Sequence, residues 1–135
     1  MAKKLLQPLF RPRWAMATAL SVVCVLGLTH IPGEEMPHAL QMGGLDKLAH
    51  LGAYGLMTGL FLLSLQRPVR PALLLAGLAA LILLGILDET TQPLVHRSCD
   101  LPDYVGDLAG IALAAAGFLP VLHAEQRKET NRITE

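Results

Sequence analysis

Four apolar stretches alternate with short polar ones along this chain, at about 14–31, 45–65, 72–87 and 104–122. At 1.5 Å rise per residue each predicts a helix of roughly 24 to 32 Å, close to the ~30 Å hydrocarbon thickness of a bilayer. The separators are rich in turn formers: Pro32-Gly33 with Pro37 and Gly43-Gly44, then Arg67-Pro68-Val69-Arg70-Pro71, then residues 93–102 with a proline at each end. The pattern predicts an all-α polytopic membrane protein, four transmembrane helices in a small bundle. Residues 1–13 and 123–135 are expected as polar, mobile tails around a membrane domain over 14–122. A cleaved signal peptide is the competing reading of the first stretch, but no small-x-small signal precedes Thr29-His30-Ile31-Pro32.

Composition agrees with a membrane setting. The chain has 135 residues, 53% apolar and only 16% charged, with a mean hydropathy of +0.47, outside the range of ordinary soluble domains. Net charge is zero, so nothing suggests nucleic acid as a partner. Along the chain the charge is uneven. Lys3, Lys4, Arg11 and Arg13 precede the first stretch, Arg67 and Arg70 separate the second and third, and Arg127, Lys128 and Arg132 follow the fourth. With both termini cytoplasmic, nine of the eleven basic residues lie inside, as the positive-inside rule requires. The two left outside, Lys47 and Arg97, stand among eight of the eleven acidic residues. Cys24 and Cys99 are too few for a disulfide framework.

This outer end carries the candidate chemistry. Asp46, His50 and Tyr54 are spaced by four and share a helix face, with Lys47 beside them; Asp88 and Gln92 repeat the spacing with Glu89 adjacent, as do Asp103 and Asp107. Ionisable groups at membrane depth are costly and mark functional sites. Asp46, His50, Tyr54, Asp88, Glu89 and Gln92 are therefore the candidate catalytic set, His50 carrying protons with Asp46 or Tyr54 orienting it. Lys47, Arg97 and Asp100 are the candidate substrate contacts, the two cations suiting a phosphate. Asp103 and Asp107, with Asp88 and Glu89, are candidate ligands for a divalent cation, the one cofactor suggested; alternatively the carboxylates divide acid and base roles. Gly52, Gly55, Gly59, Gly85, Gly106 and Gly110 lie among these positions and predict close contact of three helices. Plainer roles remain open: Asp46 and Asp100 as helix N-caps, Trp14 as an interfacial anchor, and Glu34, Glu35, His30, His38, His96 and Cys99 as solvated loop residues. No ionisable residue falls on the inner half of a span, which disfavours an ion conductor.

Residues 45–118 resemble the VanZ-like membrane proteins. The resemblance rests on Asp46-Lys47-Leu48-Ala49-His50-Leu51-Gly52-Ala53-Tyr54, on Asp88-Glu89-Thr90-Thr91-Gln92, and on Arg97-Ser98-Cys99-Asp100-Leu101-Pro102-Asp103-Tyr104-Val105-Gly106-Asp107, closed by Gly110. Asp107 stands where the family usually has Asn, which adds a carboxylate. The resemblance implies a multi-pass protein of the bacterial cytoplasmic (inner) membrane, linked in one branch to reduced teicoplanin susceptibility. The biochemical activity of the family is unsettled, and the chemistry of the outer site leads to the expected partners, membrane lipids and a lipid-linked envelope precursor or a glycopeptide, with homo-oligomers expected from the small residues. Two functions stay open: an enzyme-like site on an envelope substrate, and an accessory protein that binds such a molecule without turnover.

Overall fold

The computed structural model describes residues 8–35 and 44–134. His38, Lys3, Lys4, Pro37 and Gly43 lie outside the described residues. Four α-helices account for most of the chain: α1 (Pro12–Thr29), α2 (Leu45–Ser64), α3 (Pro71–Thr91) and α4 (Leu101–Thr134). Local rules explain where they begin. Pro12 and Pro71 occupy the first turns of α1 and α3, where a missing N–H costs nothing and a fixed φ helps. Gly44 leads into α2 with φ 105°, a conformation that side-chain-bearing residues rarely adopt.

Three stretches are long and apolar enough to cross a membrane: Pro12–Thr29, Pro71–Val95 and Leu101–Ala124. Only 6%, 17% and 28% of them is buried inside the protein, so most of their apolar surface is left for another apolar solvent. Met16, Leu20, Val23, Leu75, Leu83 and Leu113 are among the large side chains left bare, far more than a water-soluble monomer exposes. α2 misses the same criterion because Asp46, Lys47 and His50 dilute its first turns.

Chain direction alternates from helix to helix. The C-terminal ends of α1 and α3 meet, with Thr29 against Asp88, and the N-terminal turns of α2 and α4 join them, with His50 against Asp107. At the opposite end the start of the described chain pairs with the end of α2, Phe10 bridging Leu65 and Arg11 N–H donating to the Ser64 carbonyl at 2.7 Å. Arg67 lies over the Phe118 ring there, 4.7 Å from its centre. An apolar core of Val25, Tyr54, Met57, Phe61, Leu62, Leu65, Leu81, Ile111 and Phe118 fills the space between the two ends.

The closest helix contact is the α2–α4 seam. A Cβ added to Gly110 would run into the Leu51 carbonyl oxygen and stand 2.8 Å from the Gly55 nitrogen. One added to Gly106 would lie 3.0 Å from the Lys47 carbonyl oxygen. The two backbones approach as far as they do only because these side chains are missing.

Two boundaries differ from the hydropathy pattern. α3 continues past Leu87 through both carboxylates to Thr91, and α4 runs from Leu101 to Thr134, so the polar segment expected as a mobile tail prolongs a helix. Backbone hydrogen bonding does not stop where hydropathy does. Pro120 sits within α4, where it cannot donate to the carbonyl one turn back. Gly110→Ala is expected to lower the melting temperature of the detergent-purified protein, at the roughly 1–3 kcal/mol typical of overpacking. Gly52→Ala, with nothing within 4 Å of its added carbon and a better helix former in its place, is expected to melt at or above the wild type; equal behaviour of the two variants would remove the seam from the fold's requirements.

Candidate functional site

The polar side chains of the four helix ends form two groups, one deep and one at the rim. α2 supplies Asp46, Lys47, His50 and Tyr54 from its first three turns, and the helical repeat aims them at different partners. At the rim, Lys47 Nζ lies 3.3 Å from Asp103 Oδ1 and 3.7 Å from Asp100 Oδ2. Arg97 donates from one guanidinium nitrogen to the Thr29 carbonyl at 2.8 Å and places another 3.6 Å from Asp46 Oδ1. Both cations expected to contact substrate thus hold carboxylates of neighbouring segments, and the Arg97 contact ties the loop before α4 to the end of α1. Lys47 is 43% exposed and the Arg97 side chain 9%, so Lys47 is the more accessible to an incoming anion.

The deep group is built on buried carboxylates. Asp88 is fully buried, and both its oxygens are bonded: the Thr29 hydroxyl donates to Oδ1 at 2.6 Å and the Tyr54 hydroxyl to Oδ2 at 3.3 Å. Glu89 accepts from Gln92 Nε2 at 3.0 Å and from the Asp100 backbone N–H at 3.1 Å. His50 Nδ1 lies 2.9 Å from Asp107 Oδ1 and 3.7 Å from Glu89 Oε1. His50, Glu89, Asp103 and Asp107 are all buried. Buried carboxylates persist only when bonded, paired or protonated, and the sharing of donors among four helices meets most of that demand. Gly85 makes room for it: a Cβ there would sit 3.3 Å from Asp107 Oδ2.

The expected ligand set of Asp103, Asp107, Asp88 and Glu89 is divided by these contacts. Asp88 is held by hydroxyls and Asp103 by Lys47. Among the described residues, the donor groups close enough to share one ion are His50, Glu89 and Asp107, and separately Asp46, His50 and Asp103. Histidine therefore belongs to both, which the carboxylate spacing alone did not suggest.

α1 contributes two residues whose part the sequence did not reveal. Thr29 donates to Asp88. His30, expected as a solvated loop residue, is half-buried, with Nε2 2.9 Å from Thr91 Oγ1 and Nδ1 2.9 Å from the Leu26 carbonyl and 3.5 Å from Asp88 Oδ1. Four helices, not three, converge on the site. Glu34, Glu35, His96 and Cys99 are exposed.

Beside the two groups, a cavity of about 250 Å³ opens between α1 and α2. Val25, Leu28 and Ala53 make part of its wall, and Asp46, His50 and Arg97 its polar part. Such a space can take an apolar chain along one side and present its polar end to a cation and an imidazole.

No family model matches the chain, and no curated protein or solved structure shows significant similarity to it. Thr29→Val keeps the shape of the side chain and deletes a donor to a fully buried carboxylate, so it is expected to cost about 1–3 kcal/mol. Thr18→Val, which loses only a bond to its own helix backbone, is the control in the same thermal melt. Identical melting of the two would mean that the Asp88 contact carries no stability.

Proposed function

We propose that this chain is a VanZ-like integral membrane protein of four spans with both termini cytoplasmic, whose polar site faces the outer side of the bacterial inner membrane. The observation that carries the reading is the constellation of buried carboxylates and histidines at one end of an otherwise lipid-exposed bundle, rimmed by Lys47 and Arg97. The three motifs behind the resemblance supply every helix end but the first in that constellation, and the remaining basic residues of the described loops, Arg11, Arg13, Arg67 and Arg70, lie toward the opposite end.

The function that fits best is action on a lipid-linked envelope molecule at the outer leaflet. The phosphate of such a molecule would exchange with Asp103 at Lys47 and with Asp46 at Arg97, while its apolar chain lies along the cavity between α1 and α2. His50 would move the proton, its ring oriented by Asp107 rather than by Asp46 or Tyr54. Recognition without turnover is favoured instead by the double bonding of Asp88 and Glu89, which already satisfies four carboxylate oxygens.

Two experiments test this. Purified protein incubated with an envelope lipid extract is expected to yield a chemically altered lipid, at a rate reduced about 100-fold or more in His50→Gln. A lipid that co-purifies and stays unchanged would replace catalysis by binding. For orientation, a membrane-impermeant maleimide is expected to label the exposed Cys99 of a Cys24→Ser variant in intact spheroplasts. Labelling that requires permeabilisation would invert the topology.

A further inference from the structure

Three helices each bring one metal-binding side chain to the deep group: His50 from α2, Glu89 from α3 and Asp107 from α4. All three are buried, and each offers one ligand atom within 4.8 Å of the others. The two separations measured from His50 can be compared with those of atoms around an ion. Two donors each about 2.1 Å from one metal stand about 3.0 Å apart at a right angle and about 3.4 Å apart at the tetrahedral angle. The separations from His50 Nδ1, 2.9 Å to Asp107 and 3.7 Å to Glu89, lie on either side of those values.

Charge points the same way. Lys47 is engaged by Asp100 and Asp103, and Arg97 by Asp46 and the Thr29 carbonyl. At His50, two carboxylates, Glu89 and Asp107, thus face one imidazole. A second observation is independent of the clustering. Asp107 is fully buried, yet its second oxygen, Oδ2, has no hydrogen-bond partner among the described residues, and the same holds for Gln92 Oε1, whose amide nitrogen donates to Glu89. A buried carboxylate oxygen without a donor is costly, and a cation held by both oxygens of Asp107 takes the donor's place.

We infer that His50, Glu89 and Asp107 form a binding site for one first-row divalent transition ion such as Zn²⁺. An imidazole with two carboxylates suits an ion that accepts nitrogen as well as oxygen, whereas Mg²⁺ and Ca²⁺ prefer oxygen throughout. Three protein ligands leave a coordination position open, as catalytic zinc sites do, and His50 also borders the cavity between α1 and α2. The inference rests on reading this cluster as a functional site, with His50 as a ligand in place of the proton carrier when the ion is bound, and its test is read from metal binding and not from lipid chemistry.

The experiment takes the full chain, purified in detergent and stripped with a chelator, and titrates it with Zn²⁺ and with Mg²⁺ while bound metal and melting temperature are measured. About one Zn²⁺ per chain with a rise of several degrees is expected, retained in Asp103→Asn and lost in both Glu89→Gln and Asp107→Asn. Absence of Zn²⁺ binding, an equal response to Mg²⁺, or loss in Asp103→Asn with retention in the other two variants overturns the site. Should the Glu89 and Asp107 variants not fold, X-ray absorption of the Zn²⁺-loaded wild type decides. One imidazole nitrogen in the metal shell supports the assignment, and an all-oxygen shell overturns it. Zn²⁺ bound without any lipid turnover leaves this inference standing and removes the enzymatic reading; lipid turnover by a protein that binds no metal does the reverse.

Discussion

Everything at the polar end depends on how closely α2 and α4 approach. The Leu51 carbonyl and Gly55 on one helix meet Gly110 on the other, and Gly106 lies under Lys47, so the two backbones touch where side chains would otherwise hold them apart. That contact sets the register of the site. It brings Lys47 opposite Asp103 and His50 opposite Asp107, one turn deeper on both helices. A bundle held by ordinary leucine packing would separate these groups by the width of two side chains, and buried carboxylates would lose their donors. In a lipid environment, where apolar burial between helices gains little, close backbone approach and bonds between polar groups are the available sources of cohesion.

The polar network also ties the helices to one another. The hydroxyls of Thr29 and Tyr54 satisfy Asp88 and join α1 and α2 to α3, while Asp100 N–H and Gln92 hold Glu89 at the turn before α4. These bonds are structural in their effect, since removing one leaves a buried carboxylate oxygen without its donor. Thr29 and Tyr54 border the cavity between α1 and α2 together with Asp46, His50 and Arg97, so the donors to Asp88 share a wall with the imidazole and the guanidinium.

How much of this the sequence disclosed varies with the kind of residue. The helices were legible because long apolar runs bounded by Pro and Gly leave few alternatives, although the ends of α3 and α4 were not, since intrahelical bonding carries on through Asp88-Glu89 and past Ala124. The gathering of Asp46, Lys47, His50, Asp88, Glu89, Arg97, Asp103 and Asp107 at one end was legible because alternating spans allow little else. Their partners were not. Asp46, His50 and Tyr54 share a helix face by spacing, yet they turn to Arg97, Asp107 and Asp88 in three different segments. Thr29 was not singled out, and His30 was expected as a solvated loop residue, for a simpler reason: a neutral hydroxyl and a histidine at a helix end look like any other turn, and their partners lie 59 to 61 residues further along the chain.

The length of α4 has a consequence at the other end of the molecule. Its apolar part closes at Ala124, while the helix continues to Thr134, so at 1.5 Å per residue about 15 Å of rod stands clear of the hydrocarbon. That stub is a natural handle. A reporter or rigid fusion partner joined there in continuous helix would inherit a fixed orientation to the bundle, on the opposite side from the polar cluster, and would give a protein of this size the mass that particle alignment in electron microscopy demands.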